Sequence, residues 1–298
     1  MKVGIYQTSP QLLELGKNLK DTIAKIESAR DDGVDLIVFP ELALTGYFVG
    51  ARYHKVALRM DSPEIKQLAH ATKGTAAIVG FIEESRSMNF YNAALIAVDG
   101  KIEYAYRKLN LPNYGVFEER KMFSGGKTVP VFRYKGFTIA TLICNDLWHP
   151  ALPYLAVTQK ADLFVTIFNS CEAAMGEEFS NIESWTIINK FYARVFGIHN
   201  ICANRVGDET LAGRRQLDRA IDSDGGASGD EIYNFWGGSE MIDPYGRNLA
   251  KAKMYHPDYI TATISRDLVR KKRILMPYMK NDDPYFTFRE LNRILTRF

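Results

Sequence analysis

The sequence predicts an α/β fold, a mixed β-sandwich with helices on its outer faces arranged as a four-layer α-β-β-α sandwich. Three observations carry this. Short apolar runs of strand length alternate with helical patterns along most of the 298 residues. The first strand–helix–strand unit has the form of a right-handed parallel crossover. No linker or shift in composition divides the chain, so residues 1–298 are expected to form one domain rather than two.

Val3–Gln7 reads as the first strand. Leu19, Ile23, Ile26 and Ala29 then fall three or four apart, one apolar helix face that Asn18 is placed to cap. Asp35–Phe39, DLIVF, is a buried strand stopped by Pro40. Ala76–Ile82, Asn92–Val98 and Ile102–Tyr106 follow as strands, the last two joined by an Asp99-Gly100 hairpin turn. Phe137–Ile143 and Leu163–Phe168 flank a helical stretch around Leu152–Gln159. A longer helix carries Ile182, Trp185, Ile188, Tyr192 and Val195 on one stripe. Ile198–Ala203, Ser239–Ile242 and Tyr259–Ile264 complete the strands. The polar stretch Gly207–Asn234, rich in Arg and Asp, reads as a long irregular loop, either functional or mobile. In the tail, Arg270–Arg273 reads as a solvated helix face, and Phe288, Leu291 and Leu295 mark a further helix.

Composition excludes several classes. With 12% aromatic residues and only 11 prolines the chain is not disordered. Lys+Arg 38 against Asp+Glu 35 gives a net charge of +3, too near balance for an electrostatic nucleic-acid partner. No apolar run approaches the roughly 18–20 residues of a membrane span. The opening MKVGIYQTSP lacks the apolar core of a signal peptide. Three cysteines without a CxxC pair suit a reducing compartment, so a cytoplasmic protein is expected.

For chemistry, the histidines (54, 70, 149, 199 and 256) show no metal-ligand spacing, so neither metal nor cofactor is expected. GGKT at Gly125–Thr128 is similar to a phosphate-binding loop, but Lys121 stands where that motif needs glycine. No GxSxG elbow is present. What remains is Glu41 after DLIVF, Lys108 closing IEYAYR, and Cys144 closing FTIATLI. Residues at adjacent strand ends converge in α/β sheets. A thiol, a carboxylate and an ammonium there could serve as nucleophile, base and oxyanion stabiliser for acyl transfer. Lys108 is further expected to depress the thiol of Cys144, while Cys171 and Cys202 read as structural.

FPELALTGY (Phe39–Tyr47), RKLNLPNYGVFEERKMF (Arg107–Phe123) and CNDLWHP (Cys144–Pro150) resemble the three signatures of the nitrilase superfamily of carbon–nitrogen hydrolases. ANRVG (Ala203–Gly207) and GGSEMIDPYG (Gly237–Gly246) are similar to its later landmarks, in the right order. The resemblance implies that Glu41 is base and then acid, that Lys108 stabilises the oxyanion, and that Cys144 forms a thioester. The backbone N–H of Asn145 would be the second oxyanion donor. A further glutamate is implied after the lysine, placed on Glu119 by the match of EERKMF, with Glu118 the alternative. His149 invites a Cys–His reading, but Glu41 already supplies the base.

LPNYGVFEE with CNDLW most resembles the glutaminase domain of glutamine-dependent NAD synthetases, with Asn145 where that family has an acidic residue. The sequence does not read as carrying the pyrophosphatase loop of the synthetase half, so a free-standing amidase is expected. The substrate would be a small linear amide, split to acid and ammonia. A nitrilase, an acyltransferase, a carbamoyl-amine hydrolase and a non-catalytic interaction protein are the alternatives. Tyr47, Tyr114, Phe117, Trp148 and Trp185 are candidates to line the pocket. The resemblance also implies back-to-back pairing, with residues 265–298 as an arm at the interface of a homodimer or larger homo-oligomer; the apolar ILMPYM (Ile274–Met279) suits that role.

Overall fold

The computed structural model describes residues 1–172, 174, 179–210 and 231–297. Its first strands are β1 (Lys2–Gln7), β2 (Leu36–Val38), β3 (Ala76–Glu84), β4 (Phe90–Val98), β5 (Lys101–Arg107), β6 (Val131–Tyr134) and β7 (Phe137–Ile143). They are followed by β8 (Leu163–Phe168), β9 (His199–Asn204), β10 (Val206–Thr210), β11 (Ile232–Trp236), β12 (Glu240–Ile242), β13 (Asn248–Lys251) and β14 (Asp258–Thr263). The described residues form two six-stranded sheets, ordered β14-β1-β2-β3-β4-β5 and β13-β12-β9-β8-β7-β6, and a separate β10-β11 pair. The centre of each large sheet is parallel, β1-β2-β3 in one and β7-β8-β9 in the other, flanked by antiparallel strands.

Strand alternation builds the layers. Val3, Ile5, Leu36, Val38, Ile78 and Ile96 share one core with residues of the second sheet, such as Ile139 and Ile201. The intervening Tyr6, Ile37, Val79 and Leu95 share another with Leu19 and Ile26 of helix α1 (Leu15–Asp31) and Ile65 and Leu68 of α2 (Pro63–Ala71). Strands covered on both faces read as near-continuous apolar runs, which is why DLIVF and FTIATLI stood out in sequence. On the far side, α3 (Ala151–Thr158) and α4 (Asn181–Phe196) bury Ala156, Trp185 and Tyr192 against the second sheet. The order is therefore helix, sheet, sheet, helix, the α/β sandwich expected from the sequence.

Three expectations need correction. Asn18 does not cap α1, because the helix begins before it; the side chain instead donates to the carbonyls of Gln11 (2.7 Å) and Leu44 (3.0 Å). The stretch Gly207–Asn234 is not wholly irregular, since its ends pair as β10 and β11; residues 211–230, with Arg214, Arg215, Asp218, Arg219, Asp222, Asp224 and Asp230, lie outside the described residues. Arg273 is not a solvated charge: it donates to the carbonyl of Ala161 at 2.9 Å and is partly buried.

The helix Arg266–Leu275 lies on its own body, with Arg266 bonded to Asp162 (3.0 Å) and Val269 buried. Beyond it, the helix Pro284–Leu295 leaves Tyr285, Phe286, Phe288, Leu291 and Leu295 exposed. Among the described residues, no helix is long and apolar enough to cross a membrane.

Candidate active site

Strand ends bring the three sequence candidates together. Glu41 sits in a tight turn after β2 and is fully buried. That turn lies directly on β3, and a Cβ at Gly80 would fall 2.4 Å from the Pro40 carbonyl oxygen and the Leu42 nitrogen. Only glycine admits this approach. Lys108 follows β5 directly, and its N–H and carbonyl are held by the Asn92 carbonyl (2.9 Å) and the Gly126 N–H (2.8 Å). Cys144 opens a short 3-10 turn, Cys144–Trp148, immediately after β7. Its φ of +48° is a left-handed conformation that costs a non-glycine residue roughly 1–2 kcal/mol.

Asp146 holds that strained turn to the Lys108 strand. One carboxylate oxygen accepts the N–H groups of Leu109 (3.2 Å) and Asn110 (2.8 Å). The other accepts the Tyr106 hydroxyl (2.8 Å) and the Ile143 N–H (3.3 Å). Burial pushes the Asp146 carboxyl up to about 6, against the pull of these donors and of Lys108.

At the centre is one ammonium between two carboxylates. Lys108 Nζ donates to Glu41 Oε1 at 2.8 Å and to Glu119 Oε1 at 2.6 Å, and none of the three side chains is more than 1% exposed. Asn92 Nδ2 reaches both carboxylates, Glu41 Oε1 at 2.7 Å and Glu119 Oε2 at 3.3 Å. The Asn169 N–H donates to Glu41 Oε2 at 2.7 Å, and the Tyr47 hydroxyl to Glu119 Oε1 at 2.7 Å. Burial alone would neutralise the lysine, but Glu119 and Glu41 hold its pKa well above the ordinary range. Burial raises the Glu119 carboxyl against the pull of Lys108. Of the two glutamates open in the sequence, Glu119 meets Lys108, while Glu118 pairs with Lys121 at the surface (2.7 Å).

Cys144 lies within electrostatic reach of Glu41, Lys108, Glu119 and the Asn169 N–H. Burial, and then the Glu41 carboxylate, push its thiol well up, and Lys108 offsets only part of this. The expectation of a depressed thiol is thereby corrected: burial and Glu41 outweigh the ammonium, whose charge is also shared between two carboxylates. Glu41 is the carboxylate whose charge bears most on that thiol. Iodoacetamide should still modify Cys144 ahead of Cys171 and Cys202, since Cys144 is half-buried and the other two are fully buried. Its rate should keep rising through the ordinary thiol range rather than level off near neutrality. Peptide mapping checks both points, and predominant label on Cys171 or Cys202 would refute the first.

The remaining candidates divide. Tyr47 touches Glu119 directly, and Phe117 lies edge-on to both Tyr47 (5.8 Å) and Tyr114 (6.0 Å). The Tyr114 hydroxyl donates to Asn145 Oδ1 at 2.7 Å, next to Cys144 in the chain. Trp148 stands edge-on to Trp185 at 5.6 Å, whereas Trp185 is buried and stacked on Phe168 at 4.2 Å. Trp185 lies on the buried face of α4, as its place on that helix's apolar stripe implies. Asn92, Asp146 and Asn169 were missed in sequence. Each is a polar residue at the edge of an apolar strand run, a weak signal that only the fold resolves.

The carbon-nitrogen hydrolase family model matches residues 2–274. A glutamine-dependent NAD(+) synthetase from Thermotoga maritima is 26% identical over 295 residues, which are 95% of this chain and 46% of that protein. The chain thus spans less than half the length of that relative. An (R)-stereoselective amidase from a Pseudomonas species is 26% identical over 255 residues, covering 85% of this chain and 81% of the amidase. The fold aligns with the crystal structure of a carbon-nitrogen hydrolase from Helicobacter pylori G27 at a TM-score of 0.79 and 21% identity, covering 98% and 97% of the two chains. A family match across residues 2–274, on a fold that gathers a buried lysine and two glutamates close to a cysteine, shows that the chain belongs to the carbon-nitrogen hydrolase family.

Proposed function

We propose that the chain hydrolyses a small linear amide to acid and ammonia through a thioester on Cys144, with residues 1–298 acting as one hydrolase domain. The observation that carries this reading is the buried Lys108 ammonium held at 2.8 Å and 2.6 Å from Glu41 and Glu119, within reach of the one thiol of the three that is not fully buried. Glu41 takes the thiol proton as sulfur attacks the amide carbon. It then gives that proton to the departing amine, and later activates water against the thioester. Lys108 and the Asn145 N–H meet the developing oxyanion. Glu119 balances the lysine's charge and fixes its position. No metal or cofactor enters the scheme.

Ammonia release from a panel of amides, read alongside intact mass for the acyl adduct, tests the reading. Glutamine belongs on that panel because the Thermotoga maritima relative is named for its dependence on it. Ammonia from at least one amide with an adduct on Cys144 is expected; turnover with the thiol blocked would overturn the scheme. Glu119→Gln should cost about 100-fold or more in turnover by misplacing Lys108, the scale of effect expected from a shift of about 1 Å. Glu118→Gln should change little, and the reverse pattern would reassign the second glutamate.

Assembly as a homodimer or larger homo-oligomer is part of the same reading. The exposed Tyr285, Phe288 and Leu295 give the helix Pro284–Leu295 an apolar face of the kind that marks an interface. Light scattering of the full chain at micromolar concentration should give at least twice the monomer mass, and a monomer would overturn this part.

A further inference from the structure

One buried ion pair lies outside the group described above yet touches it through a single residue. Arg205 and Glu209, at the junction of β9 and β10, are 0% and 4% exposed and directly paired. Arg205 also donates to the carbonyls of Val206 and Pro10, both at 3.3 Å, and stacks over the Phe235 ring at 4.3 Å. Glu209 Oε2 accepts the backbone N–H of Tyr47 and that of Phe48, each at 2.9 Å.

Those two N–H groups are buried and lie in a bend outside any strand. Buried N–H groups without acceptors are costly, and here a carboxylate supplies what a neighbouring strand would supply elsewhere. Charged acceptors make the stronger, shorter bonds of this kind. Gly46 confirms how closely the carboxylate approaches: its φ is +77°, and a Cβ there would fall 2.6 Å from Glu209 Oε1. From Tyr47 the chain of contacts runs to Glu119 Oε1 (2.7 Å) and on to Lys108 Nζ (2.6 Å).

We propose that Glu209, held by Arg205, is a positioning residue of the active site: it fixes the Tyr47–Phe48 backbone so that the Tyr47 hydroxyl sets Glu119, and through it Lys108, beside Cys144. The proposal rests on the functional reading of Lys108 and Cys144 given above. Its physical content is that the β10 ladder and the reacting groups share one rigid link, so a change at Glu209 is felt at the thiol without touching it.

The test is the pH profile of Cys144 alkylation by iodoacetamide in the full chain, with thermal melting measured alongside. Glu209→Gln and Tyr47→Phe should displace the profile in the same sense, each altering the rate at fixed pH by about tenfold or more. The double variant should go no further than Tyr47→Phe alone, because both substitutions cut one chain of contacts. A lowered melting temperature with an unmoved profile would show a purely structural pair and overturn the proposal, as would additive effects. If Glu209→Gln leaves Arg205 unpaired and fails to fold, Arg205→Met/Glu209→Leu removes both charges and is read the same way. Predominant label on Cys171 or Cys202 in the parent chain would sink the functional reading and this proposal together. Label on Cys144 with an unmoved Tyr47→Phe profile would sink the positioning link alone.

Discussion

Cys144→Ala is expected to fold like the parent chain and to lose turnover by about 10⁶-fold, the scale on which removing a nucleophile silences an enzyme built around it. The substitution removes only the sulfur, from a half-buried side chain, and leaves the Asp146 bonds that hold the turn. The left-handed backbone is as tolerable for alanine as for cysteine. Melting curves should therefore nearly coincide while ammonia release disappears and intact mass shows no adduct. Turnover comparable to the parent's would overturn the assignment of the nucleophile.

Lys108→Met should abolish turnover and, unlike the cysteine variant, destabilise the fold strongly. It leaves two buried carboxylates, Glu41 and Glu119, facing each other across a site with no ammonium. Breaking a buried ion pair by removing one partner costs about 3–5 kcal/mol. At roughly 2–4 °C per kcal/mol for a chain of this order of size, the melting temperature should fall by about 6–20 °C. The sign with pH follows from the charge left behind. Glu119, already raised by burial in the parent, would be raised further without the lysine. Its ionisation then opposes folding at high pH, and the penalty fades as protonation neutralises it. The deficit should thus be largest in alkali and shrink as the pH falls; a deficit independent of pH would show that the lysine acts only as a packing group.

Much of this arrangement was legible in the sequence, for identifiable reasons. Parallel strands buried on both faces leave unbroken apolar runs, so β2, β7 and β8 announced themselves, and the polar residue ending a run marked Glu41 and Cys144. The stripe on α4 gave its buried face, including Trp185. Helix α2 is faint in the sequence despite Ser62, which accepts the Ile65 N–H, and Pro63 in the first turn, because nine residues make a weak periodic pattern. β10 and β11 look like loop in the sequence because charged residues such as Asp208 and Glu209 mask a ladder whose value lies in what Glu209 reaches, some 160 residues away in the chain. Asn92 and Asp146 are polar in settings where polarity usually means surface. Only the fold shows that each is buried, and that each joins segments which local propensity treats as unrelated.

The single amide nitrogen of Asn92 that reaches both carboxylates has a bearing on how this protein's kinetics should be interpreted. A proton arriving on either oxygen pair alters a bond on which the other depends, and Lys108 responds to both. Protonation here is a property of the ensemble, and the limbs of a pH–rate curve will be macroscopic constants that belong to no one side chain. Replacing Asn92 with leucine would remove a donor from both carboxylates at once and leave Lys108 to bridge them.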